Sequence, residues 1–236
     1  MTDQPSADGA IPRNYCYLPI DTAKLSGTGL LADDLYLMAH DDVTGRAFLH
    51  PRALSLGLAG GLLTELLLLL GNLAIGDGRV VAVNAAEPSD LLEHLVFGFV
   101  ANERNRHSIR DWLAYLARTS TTDVAVRLER AGYLARVRAR RPRRGDRWVP
   151  VDADCAFAAF GRARAALDSH RPPAAFGATL AGLAVASGLG PGLLTYGPPD
   201  CRHRLDQTTR QLPPGARELI SQTQAAVDSA MLSHWR

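Results

Sequence analysis

The sequence predicts a mainly α protein: a single compact helical domain around one central buried helix, with short β-hairpins. Three observations predict it. Residues 54–70, LSLGLAGGLLTELLLLL, are almost wholly apolar and would run about 25 Å as a helix. Hydrophobic residues make up 47% of the 236 positions but aromatic ones only 6%, so Leu, Ala and Val must fill the core, and Leu and Ala favour helices. The clearest β signal is a pair of short runs around the turn sequence Gly76-Asp77-Gly78, the pattern of a hairpin.

The apolar stretch has a competing reading as a membrane span. Glu65 lies in its middle, where a carboxylate at a bilayer centre costs about 2.5–3.5 kcal/mol. Gly57, Gly60 and Gly61 dilute the apolar run, and Gly71-Asn72 ends it directly before the hairpin, as a helix C-cap does. A helix apolar on every side because it is buried on every side fits better.

Residues 1–26 read as a flexible N-terminal tail, and residues 27–236 as the helical domain. The opening MTDQPSADGAIPRN lacks the basic and apolar regions of a signal peptide. A short helix over 32–40 follows Gly27 and Gly29 and ends in the polar turn His40-Asp41-Asp42-Val43-Thr44-Gly45. Phe48 and Leu49 are extended, and Pro51 opens the central helix where its missing N–H is harmless. The first hairpin spans 75–83. Ser89 then caps a helix over 90–100, with Glu93 near a capping-box position.

A helix over 109–118, a turn over 119–122 and a helix over 123–131 lead to Gly132 and a second hairpin over 133–151. Both hairpins follow a helix ending in a Leu/Ala-Gly-x-Leu pattern, which is either an internal repeat or simply how helices stop before hairpins. Alanine-rich helices over 154–170 and 174–186 are separated by Pro172-Pro173. The loop GLGPGLLTYGPPD leads to a helix over 202–212 and a last one running to Trp235. Ala178, Gly182 and Ala186, four apart, let another helix come close.

The net charge is only +2, and Lys24 is the only lysine. Cys16, Cys155 and Cys201 form no CxxC pair and no disulfide framework, which suits a reducing cytosol. No metal site and no cofactor is expected. The letters of Gly27-Thr28-Gly29-Leu30-Leu31-Ala32 match a dinucleotide fingerprint, but no strand precedes them, so the phosphate-cradling geometry is absent. His94, His107 and His203 share no ligand spacing. Asp33 and Asp34 sit in a helix's first turn, where carboxylates favour the macrodipole, and Asp41-Asp42 belong to turn chemistry. Glu65 is read as a buried carboxylate with an arginine partner, Arg110 or Arg127.

The strongest compositional signal for function is basic. Arg136, Arg138, Arg140, Arg141, Arg143, Arg144 and Arg147 crowd the second hairpin beside Trp148. Guanidinium pairs with phosphates while indole seats at a head-group boundary, and near an acidic membrane each charge adds about 1 kcal/mol. The alternative is a solvated loop whose charges guard an edge strand. Helix 109–118, a short turn, helix 123–131 and a basic hairpin also form the order of a winged helix-turn-helix. Arg127 and Arg130 would then be the DNA readers, although the low charge makes nucleic acid the weaker expectation.

Four pieces in this order, LLADDLYLMAHDDVTGR, LGLAGGLLTELLLLLGNLAI, GRVVAVN and RLERAGYLARV, resemble the Golgi phosphoprotein 3 family of peripheral membrane proteins in its shorter bacterial form. The resemblance covers roughly residues 30–151. It implies a mostly helical single domain with short hairpins, binding of phosphatidylinositol 4-phosphate, and no enzymatic activity. In eukaryotic members that binding recruits the protein to Golgi membranes, where it helps retain glycosyltransferases. By the resemblance, the family's pocket tryptophan falls at His50, and its arginines fall at Ala59, Arg118 and Thr121. Only Arg118 is kept, so His50, Arg52 and Arg118 are the lipid head-group candidates. The second hairpin corresponds to a region supporting homo-oligomerisation and membrane contact. The basic coat-binding segment of eukaryotic members is missing from the sequence.

The expected function is therefore binding of phosphoinositide or anionic phospholipid, by a cytoplasmic protein peripheral to the inner face of the membrane. The alternatives are a winged-helix-like DNA-binding regulator and an interaction scaffold that has lost the lipid pocket.

Overall fold

The computed structural model describes residues 27–84, 86–138, 146–168, 174–195 and 200–234. The expected tail over 1–26 lies outside them, as do four of the hairpin arginines, Arg140, Arg141, Arg143 and Arg144. Among the described residues the fold is mainly α with two small two-stranded sheets.

Helix α1 (Leu31–Met38) is buried at every residue. The turn after it folds back on itself: His40 bridges Ala47, and Asp41 Oδ1 accepts from both the N–H and the hydroxyl of Thr44. Helix α2 (Pro51–Thr64) is the expected central helix, and it continues directly into a π-helical turn, Glu65–Leu69. There the Leu70 N–H reaches five residues back to the Glu65 carbonyl, so the last turn is wider than an α-turn. Gly71, at φ +63, ends it. Strands β1 (Leu73–Gly76) and β2 (Arg79–Ala82) pair antiparallel from Leu73↔Ala82 to Gly76↔Arg79. Asp77 and Gly78 both have positive φ, the requirement of a two-residue type I′ turn.

Helix α3 (Leu91–Asn102) is capped by Asp90 rather than by Ser89 as expected. The Asp90 carboxylate accepts from the N–H groups of Leu92 and Glu93, which only the residue directly before the helix can reach. Helix α4 (Ile109–Leu116) starts on a complete capping box, Ser108 with Asp111. Helix α5 (Ser120–Arg130) starts three residues before the expected position, because the Ala117–Thr119 turn is tight and the first threonines are already helical. Gly132, at φ +79, precedes strands β3 (Leu134–Val137) and β4 (Arg147–Pro150), again antiparallel.

The remaining helices are α6 (Ala153–Ala165), α7 (Ala175–Ala186), α8 (Gly190–Leu194), α9 (Cys201–Gln211) and α10 (Pro214–His234). Helix α8 is a short turn where the sequence suggested only a loop, with Pro191 in its first turn, a position that tolerates proline.

Helix α2 sits at the centre, packed against α1, α4, α5, α7 and α10. By length and composition, Pro51–Leu69 would be able to cross a membrane, yet 67% of its most apolar window is buried inside the fold. Its glycines explain how so many neighbours fit. A Cβ on Gly61 would stand 3.0 Å from the Ala32 Cα of α1, and one on Gly60 would stand 2.5 Å from Thr223 Oγ1 of α10. The small stripe of α7 works similarly, since a Cβ on Gly182 would stand 3.0 Å from Ile220 Cδ1. Close approach, not the helix's own preference, therefore fixes these positions.

Ala in place of Gly raises helix propensity by about 1 kcal/mol, but overpacking a rigid contact costs about 1–3 kcal/mol. At Gly61 the neighbour is backbone and cannot turn aside. Gly61→Ala is therefore expected to lower the urea midpoint with an unchanged slope, and Gly98→Ala, which meets open space, to raise it slightly.

Candidate functional site

His50 is the N-cap of α2, its Nδ1 accepting the Arg52 N–H at 3.2 Å. Arg52 is exposed in the first turn, and Arg118 is exposed in the α4–α5 turn. One hydrogen bond joins the two segments: Ser120 Oγ donates to the Ser55 carbonyl at 2.8 Å. The elements bearing all three candidates thus meet at the positive end of the central helix. Ala59 is fully buried and Thr121 half-buried, so neither position brings a cation to this junction. Phe48, two residues before His50, is 62% exposed, and Val43 of the preceding turn is 74% exposed.

That turn also lies against the second hairpin, because a Cβ at Gly45 would run into the Trp148 carbonyl. Arg138 and Arg147 are exposed there. Arg136 pairs with Asp146 at 3.0 Å, and its Cζ lies 5.4 Å from the Trp148 ring centroid. Trp148 itself is half-buried, and its Nε1 donates to Glu129 Oε2 of α5 at 2.9 Å. Its indole N–H is committed inside the protein rather than held toward a head group.

A second charged group lies deep in the fold. Arg127 of α5, only 7% exposed, donates through Nε to Asp33 Oδ1 at 2.7 Å, and its Nη2 makes an ion-pair contact with the same oxygen at 2.7 Å. Its Nη1 and Nη2 grip both oxygens of Glu65, at 3.1 and 3.3 Å, and Nη1 reaches Asp90 at 3.4 Å. Glu65 Oε1 also accepts the Ala32 N–H at 2.6 Å. Of the two expected partners of Glu65, Arg127 is the one used, while Arg110 bonds Ser229. Beside this group, Arg162 of α6 binds both oxygens of Asp34 at 2.6 Å.

Asp33 and Asp34 stand in the first turn of α1, as expected, but they are also buried halves of ion pairs, a role the sequence reading did not give them. Their sequence context carried the signal: LLADDLYLMA is apolar on every side of the pair, so no helix face is left to hold them in water. Among the described residues, no group of three His, Cys, Asp or Glu side chains is arranged to hold a metal. The helix–turn–helix–hairpin order is present, but Arg127 is buried in ion pairs, leaving Arg130 as the surface-exposed one of the two expected DNA readers.

Burial pushes Asp33 up to about 7, with Arg127 opposing and Glu65 adding to the rise. Glu65 is also raised by burial, against the pull of Arg127. Burial alone would lower Arg127, but Glu65 and Asp33 more than offset it, so the guanidinium stays charged. One cation faces two wholly buried carboxylates, and a proton on one of them restores local balance.

Arg127→Leu, which leaves both carboxylates unpaired, is expected to lower stability by about 3–5 kcal/mol in chemical denaturation. Asp33 holds its proton to about pH 7 in the fold but only to about pH 4 when unfolded. The resulting stabilisation is full below about pH 4 and is lost as pH rises through about 7. The stability of the wild type minus that of Asp33→Asn should fall across that window; a flat difference would show Asp33 to be ionised throughout.

The comparisons agree with this architecture. A family model described as Golgi phosphoprotein 3 (GPP34) matches residues 31–224, from the first residue of α1 into α10. No curated protein matches the chain. The match extends past the second hairpin through α6 to α9, beyond the residues 30–151 that the sequence resemblance covers. With most of its length matched and a mainly α fold around one buried helix, the chain belongs to the Golgi phosphoprotein 3 family.

Proposed function

We propose that the protein is a non-enzymatic binder of anionic membranes, with a phosphorylated inositol head group of the phosphatidylinositol 4-phosphate type held by His50, Arg52 and Arg118. The observation that carries this reading is the Ser120–Ser55 hydrogen bond, which draws the Arg118 turn to the start of α2. Two guanidinium groups and a helix N-terminus on one junction suit a phosphate. Family membership supports lipid binding as the class of activity. Phe48 and Val43, exposed on the neighbouring turn, supply apolar contact for the acyl boundary, and Arg138 and Arg147 add attraction without selectivity.

Buried Ala59 and half-buried Thr121 stand where the family resemblance expects arginines. Each missing charge-assisted contact is worth about 1.5–3 kcal/mol, so head-group selectivity should be modest and general attraction to acidic lipid more prominent. The protein then works in the cytoplasm, peripheral to the inner face of the membrane, with the second hairpin available for self-association.

Sedimentation with vesicles tests the reading. Binding is expected to phosphatidylserine and phosphatidylinositol 4-phosphate vesicles, to weaken with salt, and to be poor to phosphatidylcholine alone. Arg52→Ala with Arg118→Ala should weaken anionic binding at least about tenfold while leaving the circular dichroism spectrum unchanged. Equal binding to neutral and anionic vesicles at low salt would overturn it.

A further inference from the structure

The Arg127 network leaves one buried oxygen unused. Asp33 is fully buried, and both Arg127 contacts, the Nε hydrogen bond and the Nη2 ion pair, fall on Oδ1. Its other oxygen, Oδ2, meets no donor at hydrogen-bond distance among the described residues, although the Thr28 hydroxyl lies close enough to the carboxyl to favour its charged form. Asp33 lines a cleft of about 480 Å³ at the N-terminal ends of α1 and α3, walled on the far side by α5. That volume is in the range of small-molecule pockets.

The rest of the cleft defines what fits. Leu30, Leu91, Leu95 and Val126 form an apolar wall, and Leu91 and Leu95 remain 57% and 48% exposed. Asp90 and Asp123 add carboxylates at the rim, opposed by Arg130. Arg127 is already bound to Asp33, Glu65 and Asp90. Once its proton is released, this buried oxygen is an acceptor, in a neighbourhood where carboxylates outnumber guanidinium groups. A ligand for it brings a donor, a positive charge and an apolar body. A single unpartnered oxygen matches the compact point charge of an ammonium better than the planar fork of a guanidinium, which needs two acceptors side by side.

We propose that this cleft binds an amphiphilic primary ammonium compound, its nitrogen donating to Asp33 Oδ2 and its alkyl chain lying along Leu91, Leu95 and Val126. The proposal rests on the cleft alone and does not depend on the phosphate site at the start of α2. The same chemistry is offered by a free alkylamine and by an aminophospholipid head group.

Binding also has a pH signature. Asp33 faces Arg127 of α5, Glu65 of the π-helical turn after α2 and Glu93 of α3, with the Thr28 hydroxyl beside it and Asp90, the N-cap of α3, on the same guanidinium. Burial in that company keeps a proton on Asp33 to about pH 7. An arriving ammonium makes the carboxylate the favoured form, so the Asp33 proton passes to solvent and affinity rises with pH across that range.

Calorimetric titration of the full chain with octylammonium, octylguanidinium, octanol and a short-chain phosphatidylethanolamine tests this. Octylammonium should bind saturably, more tightly at about pH 8 than at about pH 6, and at least about tenfold more tightly than octanol or octylguanidinium. Leu95→Ser, which touches only the exposed wall, should weaken it roughly fivefold, and Asp33→Asn at least about tenfold. Saturable binding of phosphatidylethanolamine as well assigns the site to a lipid; octylammonium alone assigns it to a free amine. Equal binding of octanol, no pH dependence, or unchanged affinity in Leu95→Ser would each overturn the proposal, whether or not Asp33→Asn folds.

Discussion

One guanidinium organises the centre of this protein. Arg127 on α5 binds Asp33 of α1, Glu65 at the end of α2 and Asp90 at the start of α3, so four helices share a single cation. Such a group adds less net stability than well-packed hydrophobic residues would. It gives instead a strict register, since sliding any of the four helices strands a charge in a medium that solvates it poorly. Glu65 is the telling member. A lone carboxylate in an apolar helix reads as a defect until its partner is seen sixty-two positions away.

The surroundings follow from holding that register. Helix α1 can lie against α2 only because Gly61 has no side chain, and α10 only because of Gly60. The same approach brings the Ala32 N–H onto Glu65. Charge and close packing therefore reinforce each other at the same few residues. Helix α5 then serves two sides of the molecule. Its first residue bonds the start of α2 beside the exposed Arg52 and Arg118, and its last turns wall the cleft over Asp33. The two surfaces have opposite chemistry, one rich in arginine and one ending in a carboxylate oxygen, and they are separated by little more than the length of that helix.

The sequence was informative wherever a feature is local. Pro51 at the start of α2, Gly71 and Gly132 at helix ends, and Asp77-Gly78 in a two-residue turn follow from backbone preferences over a few residues. Boundaries drifted where two neighbouring polar residues compete for one role, as Ser89 and Asp90 do, or where a β-branched turn sequence proves helical, as at Thr121 and Thr122. Four arginines of the basic hairpin lie outside the described residues, and Trp148, read as a surface group, is drawn inward by Glu129.

By itself the sequence determined the class of fold, the burial of the Leu-rich helix, the positions of both hairpins and the family, because these depend on patterns within short windows. Tertiary structure alone decided that Arg127 rather than Arg110 serves Glu65, that Asp33 and Asp34 are interior ion pairs, and that Arg118 comes to the start of α2. Those outcomes depend on which distant side chains share one small, water-poor space, and no spacing along the chain encodes that distance.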